Sequence, residues 1–139
     1  MSKSDELAEA LGTVDELNSW LGLILNLKFE IKQIKNIQTN LMRINAMLAG
    51  AKKPDIRLQM ADVRKLERGI DKMTKELPEL KNFIYPVGEI QIARAVCRRA
   101  ERVVVRFVNN APSDPPLNLR GGRYAYVLKY LNRLSDYLF

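Results

Sequence analysis

Apolar residues recur at steps of three and four through five separate stretches of this 139-residue chain, a period that belongs to amphipathic helices and not to strands. In the first stretch, about Ser4 to Leu27, they are Leu7, Leu11, Val14, Leu17, Leu21, Ile24 and Leu25. The second, about Glu30 to Leu48, carries Ile34, Ile37, Leu41, Ile44 and Leu48, and stops at Gly50 before the turn residues Lys52, Lys53 and Pro54. The third, about Ala61 to Leu77, carries Val63, Leu66, Ile70, Met73 and Leu77, and Pro78 breaks it. A loop from Pro78 to Glu89 leads to the fourth, about Ile90 to Val108, with Ala93, Val96, Ala100, Val103 and Phe107 expected on its buried side. Asn109 to Pro116 and Arg120-Gly121-Gly122 read as connection and turn, and the fifth helix, about Arg123 to Leu138, buries Val127, Tyr130, Leu134 and Tyr137. No strand-like alternation appears, and the β-branched run Val103 to Val105 continues the helical period. The expectation is an all-α, up-and-down five-helix bundle, one domain over residues 1–139, with consecutive helices antiparallel.

Composition removes whole classes of chemistry. There is no histidine, so a Ser-His-Asp triad, a His-ligated metal and a His general base are excluded, and an enzyme built here must work by positioning and electrostatics. The single cysteine, Cys97, cannot form an internal disulfide and suits a reducing cytoplasm. No apolar run approaches the roughly 20 residues that span a bilayer, and Met1 to Asp5 opens on charged residues without a secretory pattern. The formal net charge of +7 favours an anionic partner, with solubility as the plain alternative.

Most of that charge question lies in Ala93 to Arg102, which holds four arginines and one glutamate. Arg94, Arg98 and Arg102 fall one turn apart on one helix face, with Glu101 beside them. Like charges at that spacing repel by about a few tenths of a kcal/mol per pair, so carboxylates or a polyanion must relieve them. A solvated surface is the competing reading, since arginine stems also cover apolar surface. The small neighbours Ala95 and Ala100 and the excess of arginine over acid favour a phosphate site. Asp15 and Asp136 read either as surface acids or as partners that aim arginines. Asn132, a poor helix former inside a helix, asks for a hydrogen-bonding reason. Trp20 and Tyr85 read as packing residues, and Phe83 lies in the loop before the basic helix.

The strings Gly12-Thr13-Val14-Asp15-Glu16-Leu17-Asn18-Ser19, Leu66-Glu67 with Ile70-Asp71, Glu76-Leu77-Pro78, Lys81 with Phe83-Ile84, Ala93 to Arg102 and Tyr130 to Phe139 resemble the PduO-type ATP:cob(I)alamin adenosyltransferases, in the same order and over most of the chain. The resemblance implies a homotrimer with active sites between subunits. It implies a reaction in which the reduced cobalt of cob(I)alamin attacks the ribose 5' carbon of ATP and tripolyphosphate leaves, so that the protein aligns reactants and neutralises a polyanion without a histidine base. On that basis Lys3, Arg98 and Arg102 contact the triphosphate, Glu101 orients arginines and supports Mg2+ and nucleotide binding, and Asn132 contacts the nucleotide. Arg94 pairs with Asp15 of a neighbouring subunit, and Phe83 sits on the corrinoid side, displacing the lower axial ligand. ATP and cob(I)alamin are the implied substrates, with a corrinoid reductase or an adenosylcobalamin-dependent enzyme as further partners and neither nucleic acid nor membrane.

The chain departs from the family pattern in four places: the N-terminal ATP-binding loop and the tail near the corrinoid are not in this sequence, the loop after Pro86 is short and reads Val87-Gly88, and Gln91 stands where histidine is common. A non-catalytic member that binds ATP or corrinoid for delivery or sensing is therefore the alternative function. A basic nucleic-acid-binding bundle is disfavoured, because the arginines are confined to about two turns of one helix.

Overall fold

A computed structural model describes residues 2–24, 31–51, 57–76, 88–110 and 124–139. They form five helices, α1 (Lys3–Ile24), α2 (Ile31–Leu48), α3 (Met60–Glu76), α4 (Glu89–Asn110) and α5 (Ala125–Leu138), with no strand among the described residues. Local chemistry accounts for the helix ends. At the start of α1, the Ser2 hydroxyl accepts from the Asp5 amide at 3.2 Å while the Asp5 carboxylate accepts from the Ser2 amide at 3.1 Å, a reciprocal cap. Hydrogen bonding from Ser2, its hydroxyl first and its amide second, holds the Asp5 carboxyl below its ordinary value. At the end of α2, Gly50 takes φ 100°, so that its amide reaches Met47 O at 3.0 Å and the Ala51 amide reaches Ala46 O at 2.9 Å. That pattern satisfies two carbonyls the helix would leave open, in a conformation that penalises any side chain.

Cross-helix contacts fix the direction of each helix. Gln38 Nε2 donates to Asn18 O at 3.2 Å and Asn45 Nδ2 to Leu11 O at 3.3 Å, which makes α1 and α2 antiparallel. Glu16 meets Arg99, and Asn110 Nδ2 donates to Glu6 Oε1 at 3.0 Å, so α4 also runs against α1. Arg94 lies by Phe139 and Glu101 by Asn132, setting α5 against α4. α3 runs with α5, since Gly69 lies at Tyr137 while Met60 and Val63 share a groove with Leu128. Taken with Asn40 at Tyr130 and Gln33 at Tyr137, the order is up-down-up-down-up.

The principal packed pairs are α1 with α4, α4 with α5, α3 with α5, and α1 with α2. Consecutive helices therefore account for only part of the packing. α3 buries Val63 and Leu66 fully but Ile70 and Met73 only partly, a narrow stripe that suits an outer place alongside α5. α4, between α1 and α5, is the central element. Its buried line is Ala93, Val96, Cys97, Ala100, Val104 and Val108, while Val103 and Phe107 are half-buried. The expected face is thus turned by about 50° at 100° per residue. Cys97 explains the direction, since its thiol faces α5 and donates to Leu131 O at 3.4 Å.

One core cluster draws on all five helices, from Val14, Leu17 and Leu21 to Tyr130, Leu131 and Leu134. Gly69 marks a close contact of α3 with α5. A Cβ there would lie 2.6 Å from Tyr137 Cε2, and the Tyr137 hydroxyl donates to Gln33 Oε1 at 2.9 Å, so the ring cannot retreat without losing that bond. Gly69→Ala, which elsewhere in a helix gains about 1 kcal/mol, is expected to destabilise by about 1–3 kcal/mol in urea unfolding.

Burial also pushes the Cys97 thiol up from an ordinary value of 9.0 and the Tyr130 phenol up from 10.0. Both therefore stay protonated in the folded chain while the unfolded chain loses those protons. The unfolded state then binds fewer protons, and stability falls as pH rises above about 9. The melting temperature should be flat from pH 6 to pH 8 and decline above pH 9, and Cys97→Ala should flatten the first part of that decline. Among the described residues, no helix is long and apolar enough to cross a membrane.

Candidate functional site

The arginine row begins one turn into α4. Gly88, at φ 95°, starts the helix by offering its carbonyl to the Gln91 amide at 3.1 Å. Each step of four residues overshoots a full turn by about 40° at 100° per residue, so the row drifts away from the core. Arg94 is accordingly half-buried, and Arg98 and Arg102 are exposed.

The four arginines meet different neighbours. Arg94 Nε donates to Gln91 Oε1 at 2.8 Å, and its guanidinium lies 6.0 Å from the centre of the Phe139 ring. Arg99, on the opposite flank, pairs with the Glu16 carboxylate on α1. Arg98 and Arg102 have no carboxylate partner among the described residues. Arg94, Arg99 and Arg102 line an open groove of about 610 Å³ with Gln91, Ile92 and Ala95.

Glu101 turns toward α5, where Asn132 Nδ2 donates to its Oε1 at 3.1 Å. Arg133 Nη2 donates to Asn132 Oδ1 at 3.0 Å and lies 3.5 Å from Asp136 Oδ2. A short line of polar contacts, Glu101–Asn132–Arg133–Asp136, therefore ties the basic helix to α5. It borders a second groove, of about 590 Å³, whose walls include Met60, Val63, Glu67 and Leu128. The hydrogen-bonding reason that a mid-helix asparagine asks for is this bridge.

Of the expected site residues, the fold thus joins Glu101 to Asn132 and keeps Arg98 and Arg102 exposed. It does not bring Asp15 to Arg94 within one chain. The Glu16–Arg99 pair sets a register in which Asp15 lies about six residues, or roughly 9 Å along α1, from the level of Arg94. Asp15 is exposed. Lys3 is the first residue of α1, Phe83 and Tyr85 fall outside the described residues, and Trp20 packs half-buried against the core. Asp136, read either as a surface acid or as a partner that aims arginines, lies by Arg133. Two contacts escaped the sequence reading: Gln91–Arg94, whose signal is two polar groups three apart on one helix, and Glu16–Arg99, which links residues 83 apart and has none.

A family model described as cobalamin adenosyltransferase matches residues 1–139, the full length of the chain. The chain belongs to the cobalamin adenosyltransferase family. The adenosyltransferase-family chain is 37% identical to the corrinoid adenosyltransferase MMAB of Bos taurus and 38% identical to that of Homo sapiens, over 99% of its own residues in each case. It spans 60% and 58% of their lengths, about three fifths of these mammalian relatives. The corrinoid adenosyltransferase of Bacillus subtilis is 39% identical over 94% of this chain and 69% of that protein. Among solved structures, a variant PduO-type ATP:corrinoid adenosyltransferase from Lactobacillus reuteri, complexed with cobalamin and ATP, superposes with a TM-score of 0.80 at 29% identity. That superposition covers 100% of this family member and 79% of the bacterial chain.

Proposed function

We propose that this chain transfers the 5'-deoxyadenosyl group of ATP to cob(I)alamin, releasing tripolyphosphate, at sites formed between the subunits of a homotrimer. The observation that carries the reading is the pair of exposed arginines, Arg98 and Arg102, standing without carboxylate partners among the described residues beside the Glu101–Asn132 bridge. Full-length membership of the cobalamin adenosyltransferase family supports it, as does the likeness to a bacterial enzyme complexed with cobalamin and ATP.

In this reading Arg98 and Arg102, with Lys3, hold the triphosphate. Guanidinium groups form strong, charge-assisted bonds to phosphate oxygens, and those bonds strengthen as the leaving polyphosphate gains charge. Asn132 holds the nucleotide while Glu101 fixes its amide. Mg2+ fits as an ion carried in by ATP, because it takes oxygen ligands and a carboxylate at Glu101 lies on this face. Phe83 is assigned to the corrinoid side. Arg94 and Asp15 pair across subunits, a role the register within one chain leaves open to them. We also take residues 1–139 as a single domain, which the one shared core supports. A cytoplasmic setting suits the lone buried thiol, and a corrinoid reductase would have to supply the cob(I)alamin.

The test is direct: protein, ATP, Mg2+ and chemically reduced cobalamin are mixed and the corrinoid spectrum is followed. Formation of adenosylcobalamin is expected. Tight binding of both ligands without turnover would make the chain a carrier or sensor, and binding of neither would remove both functions.

A further inference from the structure

α5 carries Asn132, and its rotation about its own axis decides where that amide points. α2 holds α5 from the far side through two tyrosine hydroxyls. Asn40 Nδ2 donates to the Tyr130 hydroxyl at 3.1 Å, and two turns along the Tyr137 hydroxyl donates to Gln33 Oε1 at 2.9 Å. Asn40 and Tyr130 are both fully buried, at 0% exposure, and Asn40 lies in a stripe of α2 otherwise made of Ile34, Ile37, Leu41, Ile44, Met47 and Leu48. The Asn40 amide is also oriented without ambiguity, because Arg43 Nη1 donates to its Oδ1 at 3.1 Å while its Nδ2 is the donor to Tyr130.

A polar residue in such a stripe forgoes apolar packing, so stability alone does not explain it. What it supplies is direction. Apolar side chains tolerate small rotations of a helix against its neighbour, whereas a buried hydrogen bond tolerates little, since a broken one leaves both groups unsatisfied. Tyr130 and Asn132 are two residues apart and project about 200° from one another, so the α2 bond and the Glu101 bond grip α5 from nearly opposite sides. With side-chain ends about 6 Å from the axis, a rotation of about 10° moves Asn132 by roughly 1 Å.

We infer that Asn40 is a positioning residue: through the Tyr130 hydroxyl it fixes the rotation of α5 that sets Asn132 against Glu101, and hence the affinity for ATP. The inference rests on the adenosyltransferase reading for its effect on ATP, but not for its effect on Asn132.

The experiment pairs Asn40→Leu with Tyr130→Phe in one double variant, which removes both polar groups and leaves an apolar contact in their place. Its thermal stability should return close to that of the parent, while the KM for ATP stays raised by about tenfold with kcat changed by less than about twofold. The nitrogen-15-labelled side-chain amide of Asn132, assigned with Asn132→Ala, should shift in the same variant. Tyr130→Phe alone provides the same readings if the double variant fails to fold. A parental KM together with an unmoved Asn132 resonance would overturn the inference and leave Asn40 a purely structural residue. Should the parent protein neither bind ATP nor turn over, the adenosyltransferase reading falls, and the Asn132 resonance alone decides: movement upholds the positioning role and no movement ends it.

Discussion

Arg98→Ala is expected to lower kcat/KM for ATP-dependent adenosyl transfer by at least about a hundredfold while the bundle melts within a few degrees of the parent. Both halves follow from where the side chain stands. Arg98 is exposed on the outer flank of α4 and has no carboxylate partner among the described residues, so its removal opens no cavity and strands no buried charge. In the proposed reaction its guanidinium is one of two on this row that meet the departing polyphosphate, and the loss of a single donor aimed at developing charge typically costs two to three orders of magnitude. Arg98→Lys should recover only part of the rate, because it restores the charge but not the planar fork. Full activity in Arg98→Ala would remove this arginine from the site, and loss of the fold would make it structural.

On the proposed trimer with its Arg94–Asp15 contact between subunits, Arg94→Glu and Asp15→Lys should each yield smaller species on sizing chromatography and abolish activity, and the two changes together should restore the trimer. In a cyclic assembly each subunit repeats the same heterologous contact, so a mispaired charge acts at every interface at once. Breaking one buried interfacial charge pair costs about 2–5 kcal/mol, enough to dissociate a trimer at micromolar concentration. Arg94 suits this role: it is half-buried, and Gln91 and the Phe139 ring already limit its freedom, so little entropy remains to be lost on pairing. A trimer that persists through both single substitutions would place the interface elsewhere.

How far the chain could be read in advance differs between its parts. α2 was legible in its bounds and most of its buried face: Ile34, Ile37, Leu41, Ile44 and Leu48 are all buried, with Asn40 and Met47 added to them, and the Gly50 stop is the left-handed cap that its position suggests. α4 was legible as a helix but not in its rotation. Its period predicts an apolar face, yet where that face is centred depends on having a neighbour on each side, and Cys97, Val104 and Val108 displaced Val103 and Phe107. The candidate site divides the same way. The arginine row and Asn132 stood out as residues whose properties conflict with an ordinary helix surface or interior. Asn40, as poor a helix former as Asn132, did not stand out because its partner is a tyrosine hydroxyl 90 residues away on the helix opposite.

By itself the sequence determined the number and approximate bounds of the helices, the absence of histidine chemistry, and the presence of a crowded cationic face that some anion or acid must relieve. All of these depend on residues within a turn or two of one another, where helical spacing alone dictates contact. Tertiary structure decided how that face is divided: Arg99 to Glu16 of α1, Glu101 to Asn132 of α5, and Arg98 and Arg102 left to solvent. Those partners lie 31 to 83 residues away along the chain, and only the packing of α4 between α1 and α5 brings them within reach.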